Sequence, residues 1–286
     1  MFFGESKLAY RTLLVYLAAE DSARRVLDAA LQIANQHDAH VVALHVIPKV
    51  PIYSVFGVPA AHDVLSKHEG TLRAQATAIE QVFSEWARSN ARNVKCEWRE
   101  SKAYYQDLAI DVLRDAVSAD LVIMSKDPAD PFDAWSDLPA RIILGSGRPV
   151  LLVPTEGQFG SVGKRPLIAW KQTREAARAA FDALPLLVRA DAVDIFAAVS
   201  EDESEQPISG EELALALARH DVKATVTGKE LKSSDVGQEI LDQIEASQHD
   251  LLVMGCYGHS ELRELVFGGV TRLVLKHMTV PVLMSH

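Results

Sequence analysis

The stretch LLVMGCYGHSELRELVFGGVTRLVLKHMTVPVLM, from Leu251 to Met284, contains the pattern that decides the fold. It begins with a short apolar run typical of a buried strand and ends, after Pro281, with a second such run. Four glycines lie between the two runs, at positions 255, 258, 268 and 269. Apolar residues at helical spacing then follow, at Val270, Leu273 and Val274. A strand, a glycine-rich turn, a helix and another strand are the parts of a doubly wound α/β sheet.

The same order of segments occurs twice along the chain. The matches pair RTLLVYL at Arg11 with RPLIAWK at Arg165, VKCEWRESK at Val94 with VKATVTGKE at Val222, ADLVIMSKD at Ala119 with HDLLVMGCY at His249, and RPVLLVP at Arg148 with VPVLMSH at Val280. The last three pairs lie at offsets of 128, 130 and 132 residues, so the second parts of the two copies align with almost no gaps. The chain is therefore an internal duplication.

The repeat sets the domain boundaries. We expect a first domain over residues 1–154, a linker over 155–164 and a second domain over 165–286. The linker TEGQFGSVGK has three glycines and no apolar periodicity. The first copy carries an insertion, PKVPIYSVFGVPAAHDVLSKHEG, which has three prolines and is interpreted as a surface loop leading into a helix.

Each copy alternates short β-rich runs with amphipathic helical segments. Runs that are apolar on both faces, separated by helices, indicate a parallel sheet covered on two sides. The predicted order per copy is β-α-β-α-β-α-β-α-β. The fold class is therefore α/β, with two tandem doubly wound domains, each a mostly parallel five-stranded sheet flanked by helices.

Composition excludes several classes of partner. Lys plus Arg is 29 against 39 Asp plus Glu, a net charge of −10, with no long basic run to attract nucleic acid or an anionic membrane surface. No apolar run approaches the ~18 residues of a membrane span. The cysteines, Cys96 and Cys256, are far apart, and MFFGESKLAYR lacks the pattern of a secretory leader, so we expect a cytoplasmic protein.

The glycines suggest an anion site in the second copy. In doubly wound sheets, ligands bind outside the carboxyl ends of the strands, where Gly255 and Gly258 follow an apolar run. Gly268 and Gly269 directly precede a predicted helix, whose N-terminal amides and dipole favour an oxyanion. A phosphate group fits this arrangement.

At these residues the chain resembles the universal stress protein family in its tandem, two-domain form. Nucleotide-binding members carry Gly-x2-Gly-x9-Gly-(Ser/Thr) after the fourth strand, and Gly255, Gly258 and Gly268 reproduce the glycine spacing. REAARAAFDALPLL and GSGRPVLLVP are also similar to segments of this family. The resemblance implies a sensor or regulator of the stress response that binds ATP, ADP or AMP in its C-terminal domain.

Two residues depart from the family pattern. Gly269 stands where the pattern has Ser or Thr, and Thr271 is the nearest hydroxyl. Lys171 stands near the position of an acidic residue that contacts the nucleoside, and its ammonium suits a phosphate instead. Trp170 either packs in the core or stacks on adenine. The predicted nucleotide-binding residues are Gly255, Gly258, Gly268, Gly269, Val270, Thr271, Trp170 and Lys171.

The first copy lacks this pattern. Ser125, Lys126, Asp127 and Pro128 follow its fourth predicted strand, so we expect it not to bind nucleotide. The resemblance implies that it pairs with the second copy, in imitation of the two-fold dimer of single-domain members. The terminal strands PVLLVP and PVLMSH would then meet. A homodimer of the whole chain is left open, as is an unidentified protein partner.

No catalytic centre is visible in the sequence. The ten histidines show no zinc-ligand spacing, and neither a nucleophile elbow nor a Walker A sequence is present. We therefore predict no metal, no catalytic residue and no enzyme activity. Two alternatives remain: an interaction or dimerisation module that binds no nucleotide, and, ranked last, an adenine-nucleotide-dependent hydrolase or transferase. Cys256 is interpreted as a small loop residue, with a reactive thiol as the alternative.

Overall fold

The computed structural model describes residues 8–49, 61–90, 92–103, 107–126, 138–156, 159–200, 210–231, 235–256 and 269–286. The elements of the first half are β1 (Thr12–Tyr16), α1 (Glu20–His37), β2 (His40–Ile47), α2 (Ala61–Asn90), β3 (Lys95–Lys102), α3 (Leu108–Ala116), β4 (Leu121–Ser125), α4 (Leu138–Gly145) and β5 (Val150–Val153). Those of the second half are β6 (Pro166–Trp170), α5 (Arg174–Asp182), α6 (Leu184–Leu187), β7 (Val193–Ser200), α7 (Glu211–Ala218), β8 (Ala224–Leu231), α8 (Val236–Ala246), β9 (Leu251–Gly255), α9 (Gly269–His277) and β10 (Val282–Ser285).

The strands form one sheet of ten, in the order β3-β2-β1-β4-β5-β10-β9-β6-β7-β8. Within each half all the pairings are parallel, and the strand order is the same in both. The prediction of two doubly wound, five-stranded units is confirmed. The halves join where β5 and β10 pair antiparallel, with Leu151 opposite Leu283, so the two terminal strands do meet.

The core has two layers because successive strand residues point to opposite faces of the sheet. On β4, Leu121 and Ile123 belong to one buried cluster, while Val122 and Met124 belong to the other. We call the first the α1/α5 face, since those helices pack there, and the second the α3/α9 face. Both faces are apolar, as the continuous hydrophobic runs indicated.

An aspartate before the fourth strand clamps the start of the first strand in each half. Asp120 Oδ2 accepts hydrogen bonds from the amides of Arg11 (2.7 Å) and Thr12 (2.9 Å). The equivalent Asp250 accepts from the amides of Lys164 (2.9 Å) and Arg165 (2.8 Å). The pair lies at an offset of 130 residues, so the repeat extends to the hydrogen bonds that set strand register.

The predicted linker contacts both halves. Ser161 Oγ donates to Asp250 in the second half at 2.6 Å, and Gln36 of α1 donates to the carbonyl of Val162 at 3.4 Å. The Val162 side chain is fully buried. This segment therefore forms part of the packing between the halves.

Two helices differ in detail from the sequence prediction. The segment REAARAAFDALPLLV, one of the amphipathic helical segments of the second copy, is divided between α5 and α6 because Pro185 has no amide hydrogen and its ring clashes with the carbonyl four residues earlier. In the first half, the helix that follows the inserted loop, α2, begins at Ala61, inside the inserted segment; positions 50–60 lie outside the described residues. No helix in the described ranges is long and apolar enough to cross a membrane.

Candidate functional site

The site predicted from the sequence lies at the switch point of the second half, where the strand order reverses between β6 and β9. The two strands are paired with Ala169 opposite Met254, so their ends, at Trp170 and Gly255, are neighbours. The helix after β6, α5, packs on the α1/α5 face, whereas the helix after β9, α9, packs on the α3/α9 face. Helices that leave adjacent strands toward opposite faces open a crevice between them, which is where ligands of such sheets bind.

Gly255 is required by the packing of α5. A Cβ at this position would lie 2.4 Å from the amide nitrogen of Ala176 and 2.5 Å from the carbonyl carbon of Glu175. Both neighbours are backbone atoms of the first turn of α5, which a side chain could not displace cheaply. Close contact between strand and helix accounts for this glycine whether or not a ligand binds.

Gly269 has the opposite environment. It is exposed at the start of α9, and no atom of the described residues lies within 4 Å of where its Cβ would be. The helix is anchored just beyond it, because Thr271 is 8% exposed, Val274 is fully buried and Val270 packs against the same cluster. The N-terminal end of α9 is therefore held in place, and its first residue is not packed against the rest of the described chain.

The two helices that start at the crevice differ in how their N-termini are compensated. The N-cap of α5 is Thr173, whose Oγ1 accepts a hydrogen bond from the Ala176 amide at 3.3 Å. The first turn of α5 also holds Glu175, a buried acid. The first turn of α9 has no acidic residue. Since a carboxylate in the first turn offsets the positive end of a helix dipole, α9 is the better of the two anion sites.

Trp170 and Lys171 lie on the α5 side of the crevice. Trp170 is half-buried and packs against the cluster of the α1/α5 face, and its Nε1 is buried with no hydrogen-bond partner in the described part of the chain. The ring therefore serves as a packing residue. Lys171 is exposed, and its carbonyl accepts from the Thr173 amide at 2.6 Å in the turn before α5.

The structure brings further polar groups to this edge that sequence reasoning missed. Arg174 Nε donates to the Glu175 carboxylate at 3.0 Å, and its Nη2 lies 3.5 Å from Nε2 of His286. His286 Nδ1 is in turn 3.1 Å from the carbonyl of Cys256. The Arg174 side chain is 72% exposed and adds a cation beside the end of β9. From the sequence alone, Arg174 and Glu175 indicate only the start of a helix, and His286 indicates only the end of a strand.

The eight predicted nucleotide-binding residues fall into three groups. Gly258 and Gly268 fall within 257–268, outside the described residues. Trp170, Lys171 and Gly255 lie together at the ends of adjacent strands, and Gly269, Val270 and Thr271 lie on the helix of the opposite face.

Two observations bear on nucleophilic and metal chemistry at this edge. Cys256 is 1% exposed, and burial raises the pKa of its thiol, which makes it a poor nucleophile and favours the small-residue interpretation. Across the ranges that the structure describes, no three His, Cys, Asp or Glu side chains are grouped so that they could hold a metal ion.

The same edge of the first half is used differently. Lys126, directly after β4, donates from Nζ to the carbonyls of Leu275 (3.2 Å) and Lys276 (3.5 Å) at the end of α9. An ammonium group at this position caps the negative end of a helix that belongs to the other half.

Comparisons with known proteins agree with the fold. Residues 167–286 match the model of the Universal stress protein family. A universal stress protein from Archaeoglobus fulgidus DSM 4304 has a similar structure, with a TM-score of 0.64 and 15% identity over 95% of this chain and 97% of that one. A functionally unknown protein from Pseudomonas aeruginosa PAO1 is similar with a TM-score of 0.56 and 14% identity, over 96% of this chain and 92% of that one. At such identities the two structures show the fold alone. No curated protein sequence matches the chain.

Proposed function

We propose that this chain, which belongs to the universal stress protein family, is a sensor or regulator of the stress response that binds an adenine nucleotide in its second half. The observation that carries the proposal is the N-terminus of α9. It begins at the exposed Gly269, has no acid in its first turn and belongs to the helix that follows β9, one of the two strands at the switch point.

Groups that suit the phosphates and the base of a nucleotide support this proposal. The phosphates would accept hydrogen bonds from the first amides of α9, where Gly269 allows the closest approach. Lys171 and Arg174 supply positive charge from the α5 side of the crevice. Trp170, half-buried against the α1/α5 face at the end of β6, would keep its packing role and provide an apolar edge for the adenine base.

Calorimetry with ATP, ADP and AMP tests the proposal. The decisive variant is Gly269→Asp, because a carboxylate at the start of α9 repels phosphate but favours the helix dipole, so the fold is kept. The matched control is Gly70→Asp on α2, where again no described residue lies within 4 Å of the new Cβ, and which makes the same charge change on a helix of the first half. We expect heat of binding in the wild type and in Gly70→Asp, and its loss in Gly269→Asp.

A second candidate function follows from Gly255. Because close packing of α5 explains that glycine, the glycine loop can serve a module that docks protein partners and binds no nucleotide. This module would show no heat with any of the three nucleotides, whereas equal heat in Gly269→Asp would place the ligand elsewhere. The proposal concerns binding and not turnover, so steady release of ADP from ATP in the same samples would contradict it.

A further inference from the structure

His37 is a buried imidazole in the last turn of α1. The residue is 2% exposed, and neither ring nitrogen has a hydrogen-bond partner among the described residues. Its ring packs against that of Tyr10, with the centroids 5.3 Å apart. A neutral imidazole tolerates such a site far better than a charged one.

Tyr10 links the two halves of the chain. It is 4% exposed, and its hydroxyl donates to the carbonyl of Asp182, the last residue of α5, at 2.6 Å. Next to His37 on α1, Gln36 donates to Val162 of the segment that joins the halves. We call this contact region, formed by Tyr10, the end of α1 and the end of α5, the seam. His37 therefore packs directly on a residue that holds the seam together.

The charges around the ring oppose its protonation. Arg11 donates from Nη1 to the His37 carbonyl at 3.0 Å, and Arg189, which follows α6, faces the imidazole from the second half. Burial first, and then these two guanidinium groups, lower the pKa of His37 from 6.5 to about 4.

The acids nearby face other groups. Asp38 is an exposed neighbour that lies 3.7 Å from Arg11. Asp182 Oδ2 is buried with no hydrogen-bond partner among the described residues, and it lies 3.5 Å from Arg178 on the preceding turn of α5. Asp120 accepts the Arg11 amide. No carboxylate in the described ranges is hydrogen-bonded to the ring, so a proton on His37 would add an unpaired buried charge.

We propose that His37 makes the seam sensitive to acid: protonation of its imidazole opens the packing of Tyr10 and α1 against the second half. The packed state holds the neutral ring, and the open state exposes the imidazolium to water. The β5–β10 pairing lies in the sheet rather than among these helix ends, so opening the seam need not separate the strands. Acidity is then a signal that the fold itself detects, independently of nucleotide binding.

The sign and size follow from linkage. The pKa of the exposed ring is 6.5 and that of the packed ring is about 4, so the packed state keeps its full stability above pH 6.5 and loses it as the pH falls toward 4. Relative to pH 7, the equilibrium constant for opening rises about 20-fold at pH 5 and about 100-fold at pH 4, as an upper bound.

Hydrogen exchange at pH 7 and pH 5, corrected for the chemical exchange rate, measures seam opening directly. In the wild type, we expect amides at the end of α1 and in α5 to exchange up to about 20-fold faster at pH 5 than at pH 7, with no matching change in β4. His37→Phe keeps an apolar ring that cannot titrate, and should abolish the acceleration. His45→Phe is the matched control: His45 is also buried, at 4%, but it bonds Leu17 within the first half, so the acceleration should persist.

Equal acceleration in the wild type and in His37→Phe would overturn the proposal. His37→Gln, which is polar and does not titrate, gives a second test should the Phe variant fail to fold. An NMR titration of the wild-type histidines needs no variant. A midpoint for His37 near 4 supports the account, and a midpoint at or above 6.5 contradicts it.

Discussion

The carboxyl ends of β4 and β9 occupy equivalent places in the two halves, yet the residues at these ends have different roles. β4 ends at Ser125, and the ammonium of the next residue, Lys126, caps α9 of the other half. β9 ends at Gly255, which lets α5 approach, and the next residue, Cys256, is a buried thiol. One edge is committed to joining the halves, while the other leaves a helix N-terminus open.

The comparison shows that two copies of one strand arrangement can differ in role at the carboxyl ends of their fourth strands. The strand order and the aspartate clamps are the same in both halves, so this shared architecture does not determine which edge binds a ligand. The difference lies in a few residues after the fourth strand of each half. Substituting them in equivalent pairs therefore tests the comparison.

The largest effect is expected at the last residue of the two fourth strands. Gly255→Ala should lower the free energy of unfolding by about 3 kcal/mol, because the new Cβ would overlap backbone atoms of α5. Ser125→Ala should change it by less than about 0.5 kcal/mol, since the Ser125 hydroxyl is buried with no hydrogen-bond partner in the described chain. Urea denaturation of both variants measures the contrast, and similar losses would refute the asymmetry.

A smaller difference is expected between the two aspartate clamps. Asp250 accepts from three donors, including Ser161 of the joining segment, and is 9% exposed, whereas Asp120 accepts from the two amides of Arg11 and Thr12. We expect Asp250→Ala to cost about 3 kcal/mol and Asp120→Ala about 2 kcal/mol in unfolding free energy. The same denaturation assay decides the order, and a larger loss from Asp120→Ala would show that the joining segment adds nothing.

The smallest effect is expected at Lys126. Lys126→Met keeps the apolar stem but removes the ammonium that caps the end of α9, which should cost about 1 kcal/mol. The loss should appear as faster hydrogen exchange in the last turn of α9 and should shrink at high salt. Unchanged exchange in that turn would mean that the first half does not support α9 through this contact.

Much of the fold could be predicted from the sequence because the same order of segments occurs twice along the chain. Asp120 and Asp250 precede apolar runs at a fixed offset, and the buried runs around them imply parallel strands covered on both faces. That β5 and β10 meet was implied by the resemblance to a family whose single-domain members form two-fold dimers, and the structure shows that they pair antiparallel. The crossover rules then limited the strand order to few alternatives.

The contacts that define the site and the seam could not be predicted from the sequence repeat. Gly255 was interpreted as a ligand residue, and its contact with Ala176 depends on how closely α5 crosses the strand end. The bond from Tyr10 to Asp182 spans 172 residues, and nothing local to either residue indicates it. The burial of Glu175 likewise depends on helix position, since an acid in a first turn is usually a surface residue.

Native mass spectrometry of the wild type with ATP tests the central claim most directly, because it counts ligands per chain. The account predicts one nucleotide bound per chain, retained in Gly70→Asp and lost in Gly269→Asp. Two nucleotides per chain would mean that the edge after β4 also binds, and none, or one that survives Gly269→Asp, would show that the open N-terminus of α9 is not the site.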